Sequence, residues 1–314
     1  MMTSSSSKSS SHGLEHAVAG AISGFVTRCI CQPLDVVKIR FQLQVEPIAD
    51  HHVSKYRSLV QAFYTIVKEE GVSALWKGHI PAQVLSVVYG MGQFYSYNIF
   101  MKASNRFAFS NEWPYPTKFV AGAGAGFVGT VVSFPFDTIR TRLVAQSTIR
   151  PAYKGITHCC SCIVKHESPK VFFNGLLPTL LQIIPHSGLQ FAFYGFFSDA
   201  YKKYRNETDV SFYNSMVSGS VAGLLAKTAI YPFDLSRKRL QIQGFRDARR
   251  GFGTFFECTG LVDCLRVTVK VEGVRGLFKG LLPSQLKATA TSALHFTVYE
   301  QSLIALKALR SRQQ

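Results

Sequence analysis

An aspartate and two basic residues follow a proline three times in this chain, at the same spacing each time. The copies run from Pro33 to Arg40, from Pro135 to Arg142 and from Pro232 to Arg239. Proline removes a backbone N–H and kinks a helix. Residues three apart are neighbours on a helix surface, so the aspartate and the first base of each copy lie on one side of their helix. If the three helices pack side by side, each aspartate can meet the base of another copy. Three kinked helices that converge at one end could therefore close it with a ring of ion pairs.

A second set of charges stands where the three copies differ. Arg28 and Lys227 precede their prolines by five residues, where the second copy has Thr130. Lys287 lies in a later apolar segment, where the other copies have leucine and glutamine. No acid occupies these related places, so the sequence predicts three unpaired cations. Ionised residues inside apolar segments usually have a function, and these three indicate an anionic substrate that carries phosphate.

Apolar segments of membrane-spanning length carry these residues. A helix needs about 20 residues to cross the hydrocarbon core, and two segments of that length contain no Asp, Glu, Lys or Arg: Gly78–Met101 and Leu176–Ser198. Four further candidates carry at most one cation each: Ala17–Leu34, Phe119–Phe136, Ser211–Phe233 and Leu281–Tyr299. The sequence therefore predicts six transmembrane helices rather than the buried helices of a soluble protein.

The connections between these segments alternate in length and charge. Three long connections hold more than half of the 35 lysines and arginines. The positive-inside tendency places such loops on the negatively charged side of a membrane, which leaves both termini on the other side. Segment 1–13 is serine-rich and is expected to be a disordered tail. The seven cysteines lack the spacing of a metal site.

Each copy continues with an aromatic–x–glycine element that opens the next apolar segment. These elements are Trp76–Gly78, Phe173–Gly175 and Phe278–Gly280. With them, the threefold pattern resembles the mitochondrial carrier family over residues 14–309. The resemblance implies an all-α membrane protein with six transmembrane helices in three pseudo-threefold repeats, residues 14–108, 109–205 and 206–309, and with short matrix-side helices. It also implies alternating access across the inner mitochondrial membrane.

The resemblance implies roles for individual residues as well. It makes the charged ring a gate on the matrix side, with glutamines as braces. The gate residues are Asp35 with Arg140, Asp137 with Arg237, Asp234 with Lys38, and the braces Gln42 and Gln241. Val144 stands at the third brace position and cannot act as one. Gly78, Gly175 and Gly280 mark helix amino termini that would hold cardiolipin phosphates, with plain helix capping as the alternative.

The candidate substrate contacts are residues at positions where the three repeats differ, because a substrate without threefold symmetry must contact unlike residues. Taken with the cations, they are Arg28, Leu85, Ser86, Tyr89, Gln93, Gln182, His186, Gln190, Lys227, Lys287 and His295. Cations, amides, imidazoles and a phenol together suit an anion with an aromatic heterocycle better than a small dicarboxylate. From the residues alone, the predicted substrate is a phosphorylated heterocyclic anion.

Three stretches resemble particular members of the family that import thiamine diphosphate in exchange for nucleotides: 35–44, 76–83 and 231–253. A carrier for nucleotides, deoxynucleotides or coenzyme A shares the cationic cavity and stays an alternative. The net charge of +17 also fits a nucleic-acid-binding protein. The lysines and arginines are spread evenly over three long loops, and this distribution disfavours nucleic-acid binding. We find no nucleophile–base pair and expect a monomeric transporter, not an enzyme, with no cofactor and no metal.

The two ends of such a carrier are expected to differ in strength. The family usually has a second charged ring on the even-numbered helices, formed by an aromatic–acid–x–x–base element. Here the aromatics are Tyr97, Tyr194 and Tyr299, but among the acid and base positions Glu300 is the one charged residue. The sequence therefore predicts that the matrix end is closed in the unliganded protein.

Overall fold

The computed structural model describes residues 3–45, 55–104, 114–146, 151–205, 212–244 and 257–311. The six long helices are α1 (Thr3–Leu43), α3 (His79–Ser104), α4 (Pro114–Ala145), α6 (Leu176–Arg205), α7 (Phe212–Gln241) and α9 (Leu281–Ser311). The short helices are α2 (Leu59–Glu70), α5 (Ile156–His166) and α8 (Leu261–Gly276), and 3₁₀ turns span Val72–Trp76 and Pro169–Phe173. The predicted all-α fold class is confirmed.

Some predicted boundaries differ from the structure or lie outside it. Helix α1 begins at Thr3, so its backbone covers most of segment 1–13, where the sequence predicts a disordered tail. The predicted repeat boundaries near residues 108 and 206, and the part of stretch 231–253 beyond Gly244, lie outside the described residues.

The motif prolines lie inside helices rather than at their ends. Pro33 is in α1, and its counterparts are inside α4 and α7. A proline leaves the carbonyl four residues earlier without its helical partner. In α1 that carbonyl belongs to Cys29, and Trp76 Nε1 donates a hydrogen bond to it at 3.0 Å. The aromatic–x–glycine element of the first repeat is thereby attached to the helix at its proline.

The long helices form a closed ring. The second long helix of each repeat packs along the first long helix of the next repeat: α3 on α4, α6 on α7, and α9 on α1. Small residues allow close approach, since a Cβ added to Gly92 of α3 would lie 3.3 Å from the Cα of Gly129 in α4. The contact of α9 with α1 joins the last repeat to the first.

Buried side chains concentrate where the short helices pack against the motif halves of α1 and α4. This core includes Val36, Ile66, Ile139 and Ile163. Away from it, the long helices expose large aromatic side chains, such as Phe119 at 76% and Phe191 at 76%. By length and hydropathy, two helical stretches of the described residues are apolar enough to span a membrane: Glu15–Leu43 and Thr117–Ala145. That test finds fewer spans than the six predicted.

Candidate substrate cavity and charge network

Each motif aspartate lies beside the motif base of another repeat. The contacts are Arg140 Nη2 to Asp35 Oδ2 at 2.6 Å, Arg237 Nη2 to Asp137 Oδ2 at 2.9 Å, and Lys38 Nζ to Asp234 Oδ2 at 2.6 Å. These are the three pairs that the resemblance implies. They join all three repeats at one end of the bundle, called here the ring end after its three aspartates.

The first brace glutamine lies under the Asp234 pair. Gln42 Nε2 donates to the Tyr231 hydroxyl at 3.0 Å and to Asp234 Oδ2 at 3.3 Å. Tyr231 in turn donates to the carbonyl of Lys279 at 2.8 Å. The carboxylate is therefore held by a donor on α1, while the tyrosine connects the same site to the chain just before α9. Tyr231 was not among the predicted site residues.

The second brace belongs to a denser cluster around Asp137. Gln241 Nε2 donates to this carboxylate, and Gln241 Oε1 accepts from Thr141 at 2.6 Å. Lys238, which the sequence analysis did not assign, adds an ion pair to Asp137 at 2.8 Å. At the third brace position, Val144 is buried in the core. Brace glutamines therefore contact two of the three ring aspartates, Asp137 and Asp234.

A second layer of ion pairs, which the sequence analysis missed, lies beyond the ring. The second base of each motif is an arginine that meets a glutamate of its own repeat: Arg40 with Glu70, Arg142 with Glu167 and Arg239 with Glu272. The side chains of all three arginines are at most 1% exposed. The available signal was an arginine at the second basic position of each motif and a glutamate six residues ahead of each aromatic–x–glycine element.

Tyrosines complete this layer in the first two repeats. The Tyr153 hydroxyl accepts a hydrogen bond from Arg142 Nη1 at 3.1 Å, and Tyr56 accepts one from Arg40 at 3.1 Å. Burial raises the pKa of Tyr153 to about 12 although the nearby guanidinium opposes the shift. The phenol therefore stays neutral at physiological pH and acts as a hydrogen-bonding partner of the buried arginine.

The three helix-opening glycines lie at close contacts between repeats. Gly78, Gly175 and Gly280 have φ angles of +74°, +86° and +82°, a region that favours glycine. A Cβ at Gly175 would lie 2.7 Å from the carbonyl oxygen of Arg237. Backbone conformation and space thus both require glycine at these positions. Their predicted contact with cardiolipin stays a prediction.

A cavity of about 350 Å³ lies above the ring end, mainly between α6 and α7. It is lined by Lys38, Gln182, Ile183, His186, Ser187, Lys227, Ile230, Tyr231 and Asp234. Three predicted substrate contacts, Gln182, His186 and Lys227, are therefore brought together here. The ring pair of Lys38 with Asp234 forms part of the same lining. A molecule in this cavity would meet one pair of the ring directly.

Two of the predicted cations have backbone partners. Arg28 Nη1 donates to the carbonyl of Ala82 at 3.0 Å, and Lys227 Nζ donates to the carbonyl of Ser284 at 2.9 Å. The two carbonyls stand at corresponding places, each four residues after a helix-opening glycine. A carbonyl is a neutral acceptor and supplies no counter-charge, so an anion can still be attracted to either cation.

The prediction that Lys287 is unpaired is wrong. Its ammonium nitrogen lies 2.6 Å from Asp35 Oδ1. The repeats provide no acid at a symmetry-related place, but the long lysine side chain reaches from α9 to the ring aspartate of α1, which also binds Arg140. Asp35 therefore balances two cations, one from the ring and one from a predicted substrate position.

The other predicted contacts are spread along the bundle. Tyr89 and Gln93 of α3 lie against α4, where a Cβ at Gly129 would be 3.1 Å from the Tyr89 carbonyl and 3.3 Å from Gln93 Cβ. The Ser86 hydroxyl oxygen is buried and, among the described residues, has no hydrogen-bond partner. Leu85 is partly buried on the same helix. None of these four lines the cavity described above.

Two predicted contacts lie nearer the opposite end. Gln190 is exposed on α6. His295 Nδ1 lies 3.0 Å from the Ser23 hydroxyl, so this imidazole is part of the contact between α9 and α1. Neither residue belongs to the lining of the cavity, and the structure does not bring them together with Lys227.

The opposite end is called here the tyrosine end. It is defined by Tyr97, Tyr194 and Tyr299. The Tyr194 ring lies 3.9 Å from a Cβ built at Gly219, and the Tyr299 hydroxyl lies 2.7 Å from His16 Nδ1. Glu300 has no ion-pair partner within the part of the chain that the structure describes. Aromatic packing and hydrogen bonds therefore take the place of a charged ring here.

Fold and charge network together define a transporter built from three like repeats, and the comparison of sequences agrees. The model of the family "Mitochondrial carrier protein" matches residues 9–107, 111–205 and 208–308. The chain belongs to the mitochondrial carrier family, whose fold has six transmembrane helices, and this membership assigns it to transport at the inner mitochondrial membrane.

Particular relatives within the family cover nearly the whole chain. The mitochondrial thiamine pyrophosphate carrier of Macaca fascicularis is 40% identical over 294 residues, which are 91% of this chain and 90% of that protein. The human protein of the same name is 40% identical over 291 residues, 90% of this chain and 89% of that protein. The mitochondrial thiamine pyrophosphate carrier 1 of Aspergillus terreus is 37% identical over 305 residues, 95% and 93% of the two chains.

Proposed function

We propose that this carrier imports thiamine diphosphate into the mitochondrial matrix in exchange for nucleotides. The observation that carries the proposal is the composition of the cavity, where the cations Lys38 and Lys227 lie near the amide of Gln182 and the imidazole of His186. Its volume of about 350 Å³ falls within the usual range of about 300–1,000 Å³ for small-molecule sites.

The parts of thiamine diphosphate match the two kinds of lining residue. The pyrophosphate is attracted by the lysines. The aminopyrimidine has an N–H donor and a flat ring, and the Gln182 Oε1 atom is a buried acceptor without a hydrogen-bond partner among the described residues. A buried polar atom of this kind gains a bond when a donor enters. The names of the relatives support the same substrate.

The ring end is proposed to face the matrix, with both termini toward the intermembrane space and six membrane crossings. The long basic loops leave the helices at the ring end, and the positive-inside tendency favours the matrix for them. In this orientation the cavity opens toward the intermembrane space while the ring pairs close the matrix side. A monomer is sufficient because the closed ring of helices comes from one chain.

The helix-opening glycines are proposed to hold cardiolipin phosphates at the amino termini of α3, α6 and α9. Binding of cardiolipin should raise the temperature at which the purified carrier unfolds. A phosphatidylcholine control should leave that temperature unchanged, and equal effects of the two lipids would contradict a specific site.

Uptake of labelled thiamine diphosphate by the purified protein in liposomes tests the transport proposal. We expect uptake only into liposomes loaded with an exchangeable internal nucleotide or thiamine diphosphate. Unlabelled thiamine diphosphate should compete better than nucleotides, deoxynucleotides or coenzyme A. Stronger competition by one of these would make that molecule the substrate, and uptake of dicarboxylates instead would reject a phosphorylated substrate.

Variants of the cavity sharpen this test. Lys227→Gln should reduce uptake strongly, because it removes a cation that lines the cavity. Lys102→Gln is the matched control, since Lys102 is exposed near the end of α3. Equal uptake by the two variants would show that the phosphate does not bind beside Lys227.

A further inference from the structure

The third repeat differs from the other two at the start of its short helix. Two residues before the N-cap of this helix, the first two repeats have Tyr56 and Tyr153, and the third has Cys258. Each tyrosine accepts a hydrogen bond from the buried arginine of its own repeat. The cysteine therefore stands where the other repeats have a phenol in the second layer of the ring end.

A threonine takes over the role of the phenol in the third repeat. Arg239 Nη1 donates to the Thr268 hydroxyl at 2.9 Å, and the corresponding residues of the first two repeats are Ile66 and Ile163. The hydroxyl acceptor for the buried arginine thus comes from α8 itself. Cys258 is released from the structural role of its counterparts, so its presence calls for a different explanation.

A second thiol lies beside Cys258. Cys264, in the first turn of α8, is 0% exposed, whereas Cys258 is half-buried. The two side chains share a hydrogen bond, and Gln243 Nε2 donates to Cys258 Sγ at 3.5 Å. Two cysteine side chains in such contact can form a disulfide after a small movement.

The matching cysteine of the second repeat has a tyrosine in place of the second thiol. Cys159 stands at the position of Cys264, and Tyr153 at that of Cys258. Burial raises the pKa of Cys159 to about 12, so this thiol stays protonated and unreactive. In the third repeat, the hydrogen bond between the thiols lowers the pKa of Cys264 and raises the pKa of Cys258. Cys264 is therefore the sulfur that acts as the nucleophile.

We propose that Cys258 and Cys264 form a redox-responsive dithiol, which hydrogen peroxide converts to a disulfide that slows exchange by the carrier. Peroxide transfers one oxygen atom to the half-buried Cys258 sulfur, which becomes a sulfenic acid, and its other oxygen leaves as water. The Cys264 sulfur then attacks this sulfur, and the S–O bond breaks. The leaving hydroxide takes up the proton of Cys264 and becomes a second water. Glutathione restores the two thiols by exchange.

The position of the dithiol gives the reason for the effect on exchange. Cys258 contacts Gln243 just beyond α7, and Cys264 packs with Val45 just beyond α1. The dithiol therefore lies where the first and third repeats meet at the ring end. A covalent bond here restricts the backbone ahead of α8 and its movement against these neighbours. The effect on exchange rests on the proposed function, whereas the formation of the disulfide does not.

Mass spectrometry of the peroxide-treated carrier tests the formation of the disulfide. Trypsin cuts after Arg250 and Arg266, so one peptide contains both cysteines. Its disulfide form is lighter by two hydrogens and resists alkylation until it is reduced. Treated wild-type carrier should give this form and Cys258→Ser should not, while Cys159 should still be alkylated after denaturation. A wild-type peptide that is alkylated at both cysteines after peroxide treatment would overturn the proposal.

Exchange in liposomes tests the consequence, in a carrier whose other cysteines are replaced by serine. Peroxide should slow exchange of thiamine diphosphate several-fold, and dithiothreitol should restore it. Cys258→Tyr, which restores the tyrosine of the other repeats, and Cys258→Ser should both exchange at the parent rate and be insensitive to peroxide.

Two results would contradict the effect on exchange. One is a disulfide-containing carrier that exchanges at the full rate, and the other is an equal slowing of Cys258→Ser by peroxide. A carrier that takes up no thiamine diphosphate before any treatment would contradict the proposed function instead. The mass of the tryptic peptide is measured without transport, so the two failures are distinguishable.

Discussion

The ring end and the tyrosine end perform the same task, joining neighbouring repeats, with different chemistry. At the ring end, buried or half-buried ion pairs connect the repeats, and a second layer of ion pairs lies within each repeat. At the tyrosine end, aromatic rings pack on small residues: the Phe100 ring lies 3.0 Å from a Cβ built at Gly124, and Tyr194 lies against Gly219. A charged side chain at the ring end can leave its ion-pair partner and bind a charged substrate instead. The packed aromatic side chains at the tyrosine end have no such alternative partner. The ring end is therefore suited to substrate-controlled opening.

The largest expected difference between the ends concerns the buried arginines. Arg142→Ala leaves Glu167 without its arginine and opens space in the packed ring end, and breaking a buried pair in this way costs about 3–5 kcal/mol. Glu300→Ala at the tyrosine end removes an exposed charge and should change stability by less than about 0.5 kcal/mol. Thermal unfolding of both variants in the same detergent gives the comparison. Similar losses in the two variants would show that the ends are equally dependent on charge.

A smaller difference is expected from glycine substitutions. Gly280→Ala introduces a Cβ that would lie 2.9 Å from the Tyr231 hydroxyl, at a φ of +82°, and should cost about 1–3 kcal/mol. Gly24→Ala is the control on α1, because nothing lies within 4 Å of its added Cβ. Since it replaces a helical glycine, it should be neutral or stabilising by up to about 1 kcal/mol. Unfolding temperatures that fall equally for both would contradict the close contact at Gly280.

The smallest of these differences between a variant and its control is expected within the tyrosine end. Tyr299→Phe removes the hydroxyl that lies 2.7 Å from His16, and a single hydrogen bond is worth about 0.5–1.5 kcal/mol. Tyr95→Phe is a matched control, because Tyr95 is 71% exposed. A stability loss for Tyr299→Phe as large as that for Arg142→Ala would reverse the ranking of the two ends.

The sequence predicted the fold well because the fold repeats. Three copies of one motif, each on an apolar segment, specify three like units, and the ring pairs then follow from packing each unit against the next. The helices continue past Pro33 to Leu43, which hydropathy alone did not indicate because the motif that follows is charged. The partner of the freed Cys29 carbonyl, Trp76, could not be read from spacing.

The candidate site was predicted less completely, for a physical reason. Comparison of repeats identifies residues that differ, but it says nothing about how far a long side chain reaches. Lys287 was correctly recognised as unlike its counterparts, yet its partner is a residue that all repeats share, Asp35. His295 differs from its counterparts too, and its imidazole meets Ser23 rather than the cavity. A difference between repeats therefore identifies candidate substrate contacts, but the residues on the neighbouring helix determine which of them face the cavity.

The closing of the ring by α9 on α1 has a consequence for the biogenesis of the protein. Asp35 is made early in synthesis, but Arg140 follows 105 residues later, and Asp234 follows Lys38 by 196. Contacts so distant along the chain form late, and until the last helix arrives the first one has exposed apolar and charged surface. Such a chain is prone to aggregation, and its assembly should depend on chaperones and an insertion machinery that keep α1 protected until α9 is delivered.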